Sequence, residues 1–312
     1  MNKLYLSEIK GKKVLLVGGT GFVGRHILAR LLDLGAEVTV MALFSLGEYE
    51  GDLLNKCNII KGNVTQPGNR KVISETNWNI VINVGGFINQ RQDAQSDVET
   101  FTGHLLHVRE LVSVLPNNIE RFVHAGSAVE YGDNPVPHRE DMRERPLTPY
   151  AAAKVATTHY LQMLYHSRGF PAVILRPFFI FGPNQDKSKF LPWAIEQAIL
   201  GREISITRGE QTRDPISVID VAEAFVRASM VRNSIGEVIN IASGNPITIA
   251  SIANIISSTI GKGHFNLGAL PYRQGEIMRS EADTTKFKHI LGLSPTISLN
   301  DFVRDFTERN SA

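Results

Sequence analysis

Val14-Leu15-Leu16-Val17-Gly18-Gly19-Thr20-Gly21-Phe22-Val23-Gly24 is the stretch that decides the fold of this chain. Its first four residues form a short apolar run, which suits a strand buried on both faces of a parallel sheet. The glycines then stand as G-x-x-G-x-x-G, a spacing that allows a tight turn and a close approach of the backbone to an anion. From Arg25 to Leu34 the apolar residues Ile27, Leu28, Leu31 and Leu32 recur at helical spacing, and Gly35 supplies a stop. A second strand is predicted over Glu37–Met41. Strand, glycine turn, helix and strand in this order aim helix N-terminal amides at the turn, where a pyrophosphate is stabilised. The reading is a dinucleotide cradle, with Gly18, Thr20, Gly21, Phe22, Val23, Gly24 and Arg25 as candidate contacts.

Downstream, Tyr150-Ala151-Ala152-Ala153-Lys154 places a phenol and an ammonium four residues apart. On a helix that spacing brings both side chains to one face. A nearby ammonium favours phenolate, so Lys154 is expected to lower the Tyr150 pKa and make the phenol a general acid or base. Cradle and proton-transfer pair together point to redox chemistry on an alcohol or ketone.

Length and composition bound the rest. At 312 residues the chain can bury a large core, and 43% hydrophobic with 21% charged residues is ordinary for a globular protein. A formal charge of +2 leaves no basic footprint for nucleic acid. Cys57 is the one cysteine, so no intramolecular disulfide forms. The stretch Met1 to Lys13 is polar without a signal-peptide core, and no apolar run approaches membrane-spanning length. The expectation is a cytoplasmic protein with neither a membrane nor a metal partner.

After the first unit, strand and helix patterns alternate. Strands are predicted at Asn79–Val84, Arg121–Ala125, Ala172–Leu175 and Val238–Ile241, and helices at Asp97–Leu115, from Tyr150 to Ser167 and at Val221–Met230. This implies an α/β architecture, a Rossmann-type doubly wound parallel sheet. In such sheets ligands bind at strand C-terminal ends, where Gly18, Gly85, Ser127 and Arg176 are expected to line one crevice. From Arg176 the chain turns rich in Pro, Gly and aromatics. The expected division is a dinucleotide-binding domain, 1–175 plus 215–243, and a smaller C-terminal substrate-binding domain, 176–214 plus 244–312.

With Gly126-Ser127, Tyr131-Gly132, Arg176-Pro177, Gly182-Pro183 and the stretch Arg213 to Ala222 added, the chain resembles the extended short-chain dehydrogenase/reductase superfamily. The similarity is to its branch of nucleotide-sugar epimerases, dehydratases and ketoreductases, and it covers almost the whole length. The resemblance implies that Tyr150 exchanges a proton with the substrate oxygen. It implies also that Lys154 hydrogen-bonds the nicotinamide ribose and that Ser127 hydrogen-bonds the reacting carbonyl. It places Asn63, Val64, Val84, Gly85, Gly86 and Pro177 at the cofactor. Arg213 and Arg273 would clamp the substrate diphosphate, and Phe179 stands where many members carry an asparagine near the phosphates. It also implies a nucleotide-sugar partner and a homodimer; the apolar stripes of the helices predicted over Asp97–Leu115 and Tyr150 to Ser167 offer a four-helix interface for one, unless both are used against the sheet.

Departures shape the expected reaction. The residues Val40 to Ser45 carry no carboxylate where many NAD-using members end the second strand. That permits NADP, and the expectation leans toward NADP over NAD. Ala128 and Val129 occupy the places of the dehydratase Asp-Glu pair, with Glu130 one position late, which disfavours elimination of water. The first expectation is therefore a 4-ketoreductase acting on a nucleotide-linked 4-keto-6-deoxy sugar in deoxysugar biosynthesis. The alternative is an NAD-dependent nucleotide-sugar 4-epimerase. A reading from another class is a non-catalytic dinucleotide-binding sensor or scaffold.

Overall fold

The apolar runs are buried on both faces because each lies inside one parallel sheet. The computed structural model describes residues 8–42, 53–86, 94–273 and 275–310. Six strands, β1 (Lys13–Val17), β2 (Glu37–Ala42), β3 (Asn58–Lys61), β4 (Ile80–Asn83), β5 (Arg121–Ala125) and β6 (Ala172–Pro177), are joined by a last strand, Val238–Ile241. They form a seven-stranded sheet in the order β3-β2-β1-β4-β5-β6 followed by Val238–Ile241, all parallel. The order reverses at β1, which opens a crevice between the C-terminal ends of β1 and β4.

Side chains alternate across a strand, so each apolar run feeds two cores. Leu16, Val123 and Val173 face one core with α1 (Phe22–Asp33). Leu15, Phe122 and Ile174 face the other. Helices α2 (Pro67–Glu75), α3 (Ala94–Phe101), α4 (His107–Val114) and α5 (Pro149–Arg168) follow in the chain. Val108 and Leu111 of α4 and Leu161 and Leu164 of α5 fill that second core.

The single helix predicted over Asp97–Leu115 is instead broken by a π-helical turn, Thr102–Leu106, between α3 and α4. The buried positions explain the difference. Ser96, Thr100, His104 and Val108 recur every four residues. At 3.6 residues per turn that stripe drifts by about 40° per step, and one wide π turn absorbs the drift.

The later chain adds α6 (Phe190–Ile199), α7 (Val218–Met230), α8 (Ile249–Ile260), α9 (Thr285–Leu291) and α10 (Leu299–Asn310). Helix α7 starts ahead of the predicted Val221 because Ser217 caps it, its Oγ accepting from the Asp220 amide at 3.0 Å. It belongs to the core of α1 through Val221, Ala224 and Phe225. A third core gathers Phe181, Leu191, Ile195, Ile204, Ile252, Ile256 and Val303 away from the sheet. Phe287 and Leu291 of α9 return to the α1 core. We keep the two-domain division as a proposal, with α9 packed on the first domain. Among the described residues no helix is long and apolar enough to cross a membrane.

Candidate active site

Steric demand explains why the turn is built of glycine. Gly18 sits at φ +83°, and a Cβ there would stand 2.7 Å from Gly85 Cα. A Cβ on Gly24 would overlap the Gly18 carbonyl. The turn thus packs tightly against itself and against the loop after β4. Helix α1 begins at Phe22 without a side-chain cap and without an acid in its first turn. Its first amides are left for an anion outside the helix, so these residues suit a dinucleotide pyrophosphate.

The catalytic candidates come from two neighbouring elements. Thr148 caps α5, its Oγ1 accepting from the Ala151 amide at 3.1 Å, and Pro149 occupies the first turn. This fixes Tyr150 at the start of α5 and Lys154 one turn further in. Lys154 is buried and its Nζ donates to the Ala125 carbonyl at 2.7 Å, at the end of β5. Burial holds its pKa down at about 8, against the pull of Glu130. The expected depression of the Tyr150 pKa is not found. Burial, with Glu130 adding to it, pushes the phenol up to about 12, and the neighbouring Ser127 hydroxyl only partly offsets this. Burial of the phenol decides it: the ammonium donates to the Ala125 carbonyl, 5.8 Å from the Tyr150 ring centroid, and does not offset that burial.

Ser127 is in extended backbone directly after β5 and caps a single 3-10 turn, Ala128–Tyr131. Glu130 completes a reciprocal cap, its Oε1 accepting from the Ser127 amide at 2.7 Å. Its Oε2 accepts from Thr158 Oγ1 at 2.9 Å and from Arg176 Nε and Nη2 at 3.0 and 2.7 Å. Arg176 also donates to Glu144 at 2.6 Å. Both Glu130 and Arg176 are fully buried. The carboxylate that follows the serine therefore supports the turn and does not face the reaction cavity. Arg176, expected in the crevice, is drawn into the same buried network.

A cavity of about 520 Å³ joins the two halves of the site. Gly18, Gly21, Phe22, Val23, Gly24, Val84, Gly85 and Gly86 line it on the sheet side. Ser127, Tyr150, Lys154, Pro177 and Phe179 complete it, as expected positions go. Thr20, Arg25, Asn63 and Val64 do not line it. Val64 is wholly buried in the second core, and Asn63 Oδ1 accepts from the Thr65 amide at 3.1 Å. The Arg25 guanidinium donates to the carbonyls of Thr20 and Gly21 at 3.3 and 3.5 Å.

A second cavity of about 530 Å³ holds Arg213, Arg273 and Glu276 beside Trp193 and Ser205. Phe179 and Phe190 line both cavities and form the wall between them. Arg213 donates to Glu276 Oε1 at 2.6 Å and to the Thr212 and Ile277 carbonyls at 2.8 Å. Sequence reasoning missed His104, Gln185 and Phe190 in the first cavity and Trp193 and Glu276 in the second. Only the four-residue recurrence of Ser96, Thr100 and His104 was a usable signal for any of them.

Comparison with known proteins places this geometry. A model of the NAD dependent epimerase/dehydratase family matches residues 14–242. A UDP-glucose 4-epimerase of Mycolicibacterium smegmatis is 26% identical over 310 residues, spanning 95% of this chain and 97% of that protein. The solved UDP-N-acetylglucosamine 4-epimerase of Methanobrevibacter ruminantium, in complex with UDP-N-acetylmuramic acid, is 28% identical. It superposes with a TM-score of 0.85 over 97% of this chain and 100% of that one. The UDP-glucuronic acid 4-epimerase of Bacillus cereus, in complex with UDP-glucuronic acid and NAD, has the same fold. It is 24% identical, with a TM-score of 0.83 over 96% of this chain and 99% of that one. The lean toward NADP finds no support. It rested on the absence of a carboxylate over Val40 to Ser45, of which Leu43, Phe44 and Ser45 lie outside the described residues, and the guanidinium of Arg25 is turned to backbone carbonyls.

Proposed function

The chain belongs to the NAD-dependent epimerase/dehydratase family, and on that footing we propose that it is a nucleotide-sugar 4-epimerase with resident NAD and a UDP-sugar substrate. This reverses the order read from the sequence, where the ketoreductase stood first. The reductase argument rested on a missing carboxylate after β2, which permits a 2′-phosphate but does not require one. Two observations support the epimerase reading: the relatives and solved structures reported above are named 4-epimerases, and among the described residues the cavity holds Tyr150, Ser127 and Lys154 and no carboxylate, which speaks against a dehydratase. That equipment suits reversible proton exchange at one hydroxyl, whereas elimination needs a further acid or base.

Gly18, Gly21 to Gly24 and Val84 to Gly86 would hold the dinucleotide, which supplies a hydride acceptor and donor when bound. Tyr150 takes the proton of the sugar 4-hydroxyl as that carbon is oxidised and returns it after the sugar presents its other face. Ser127 hydrogen-bonds the same oxygen and keeps it beside the phenol. Lys154, held by its bond to the Ala125 carbonyl, would present its remaining ammonium donors to the nicotinamide ribose. The second cavity would take the nucleotide, with Arg273 and Arg213 facing its phosphates.

The test is nucleotide analysis of gently purified protein, followed by incubation with UDP-glucose, UDP-N-acetylglucosamine and UDP-glucuronic acid under proton NMR. Tightly held NAD and the appearance of a 4-epimer are expected. An empty protein that consumes NADPH with a 4-keto sugar nucleotide would return the reductase to first place.

A further inference from the structure

His104 is absorbed by neither the cradle nor the catalytic set, yet it stands at the reaction centre. The π turn Thr102–Leu106 keeps it on the inner face of its helix, in register with buried Ser96 and Thr100. Such turns concentrate at functional positions, because the regular ladder is given up to aim one side chain. The His104 ring is 2% exposed and lies 5.2 Å from the Tyr150 ring at 72°, an edge-to-face contact. Gly86 also lies against it, and a Cβ there would stand 2.5 Å from the imidazole Cε1. The imidazole therefore packs against both Gly86 and the Tyr150 ring, and it lines the same cavity as Ser127 and Lys154. Tyr150 stands in the first turn of α5, directly after Pro149.

We propose that His104 is a positioning residue, whose ring contact fixes the Tyr150 ring so that the phenol meets the substrate oxygen beside Ser127. The proposal rests on the reading of this cavity as the reaction site. It assigns the work to the ring and not to a titrating nitrogen.

Two substitutions separate these possibilities in the NAD-loaded enzyme, with UDP-N-acetylglucosamine as probe. His104→Leu fills similar space without a ring, and His104→Phe keeps the ring without nitrogen. His104→Leu is expected to lower kcat about tenfold with KM and NAD retention little changed. His104→Phe is expected to stay within about threefold of wild type with the pH profile of kcat unmoved. Wild-type kcat in His104→Leu, an equal loss in both variants, or a shifted pH profile in His104→Phe would each overturn the proposal. Should no UDP-sugar be turned over, the function proposed above fails, and the role of His104 is read without substrate. The ultraviolet titration of the Tyr150 phenol, taken as the difference from Tyr150→Phe, should move in His104→Leu and not in His104→Phe. An unmoved titration in His104→Leu counts against the contact.

Discussion

The Lys154 ammonium is buried in the reaction cavity, and that burial holds its pKa at about 8 while the free side chain titrates near 10.5. Between these two values the unfolded chain binds more protons than the folded one, so stability rises with pH across that window. Below it the full cost of burying the charge is present. Lys154→Met should therefore abolish turnover and yet raise stability at pH 7 by about 2 kcal/mol, after allowing for the lost bond to the Ala125 carbonyl. Denaturant unfolding at pH 7 and pH 10 checks the sign: the gain should shrink as the wild-type lysine loses its proton. A variant less stable than wild type at both values would contradict this account. The same residue shows a limit of sequence reading. The Tyr150–Lys154 spacing was legible, but the partner of the ammonium was not, because Ala125 lies 29 residues away on another element.

At the scale of elements, the turn after β5 depends on a buried ion pair contributed by β6. Glu130 caps that turn and meets Arg176, with both side chains out of reach of water. A buried pair contributes little against an apolar substitute, but removing one partner strands the other charge. Glu130→Gln should destabilise the protein by about 3 kcal/mol, tempered by the second carboxylate, Glu144, at Arg176. It should also lower kcat, since the Ser127 amide loses its charged acceptor. Thermal unfolding and steady-state kinetics on one preparation test both effects. Unchanged stability would show that Glu144 alone satisfies Arg176. From the sequence, Glu130 stood one position late for the dehydratase acid pair and carried no assigned role. Its pairing with a residue 46 positions later could not be read from local pattern.

For the whole molecule, the site is a product of two bodies of packing. The sheet and its two cores shape the cofactor side, and the third core, built on α6, α8 and α10, shapes the second cavity. Phe179 and Phe190 stand between them. The halves should therefore respond separately to mutation. Arg273→Ala should raise the KM for a UDP-sugar by about tenfold to a hundredfold, the worth of charge-assisted phosphate contacts, while retained NAD stays as in wild type. Kinetics together with nucleotide analysis of the variant decide it, and a loss of bound NAD would mean that the two cavities are not independent. Arg213 is expected to contribute less, because Glu276 already balances its charge.

The sequence by itself determined the parallel sheet and its glycine turn, and it singled out Ser127, Tyr150 and Lys154, which the structure brings to one cavity. These rest on local signals: apolar runs of strand length, glycines where a Cβ has no room, and a spacing of one helical turn. The family followed from those same motifs in order. Tertiary structure alone decided what surrounds them. It set the direction of the Tyr150 pKa, the structural duty of Glu130 and the engagement of Arg213 by Glu276. It also brought His104 to the phenol through a π turn and set Val64 into the core away from the cavity. Each of those outcomes depends on side chains distant in the chain that meet only after the sheet has closed, and short-range periodicity carries no information about such meetings.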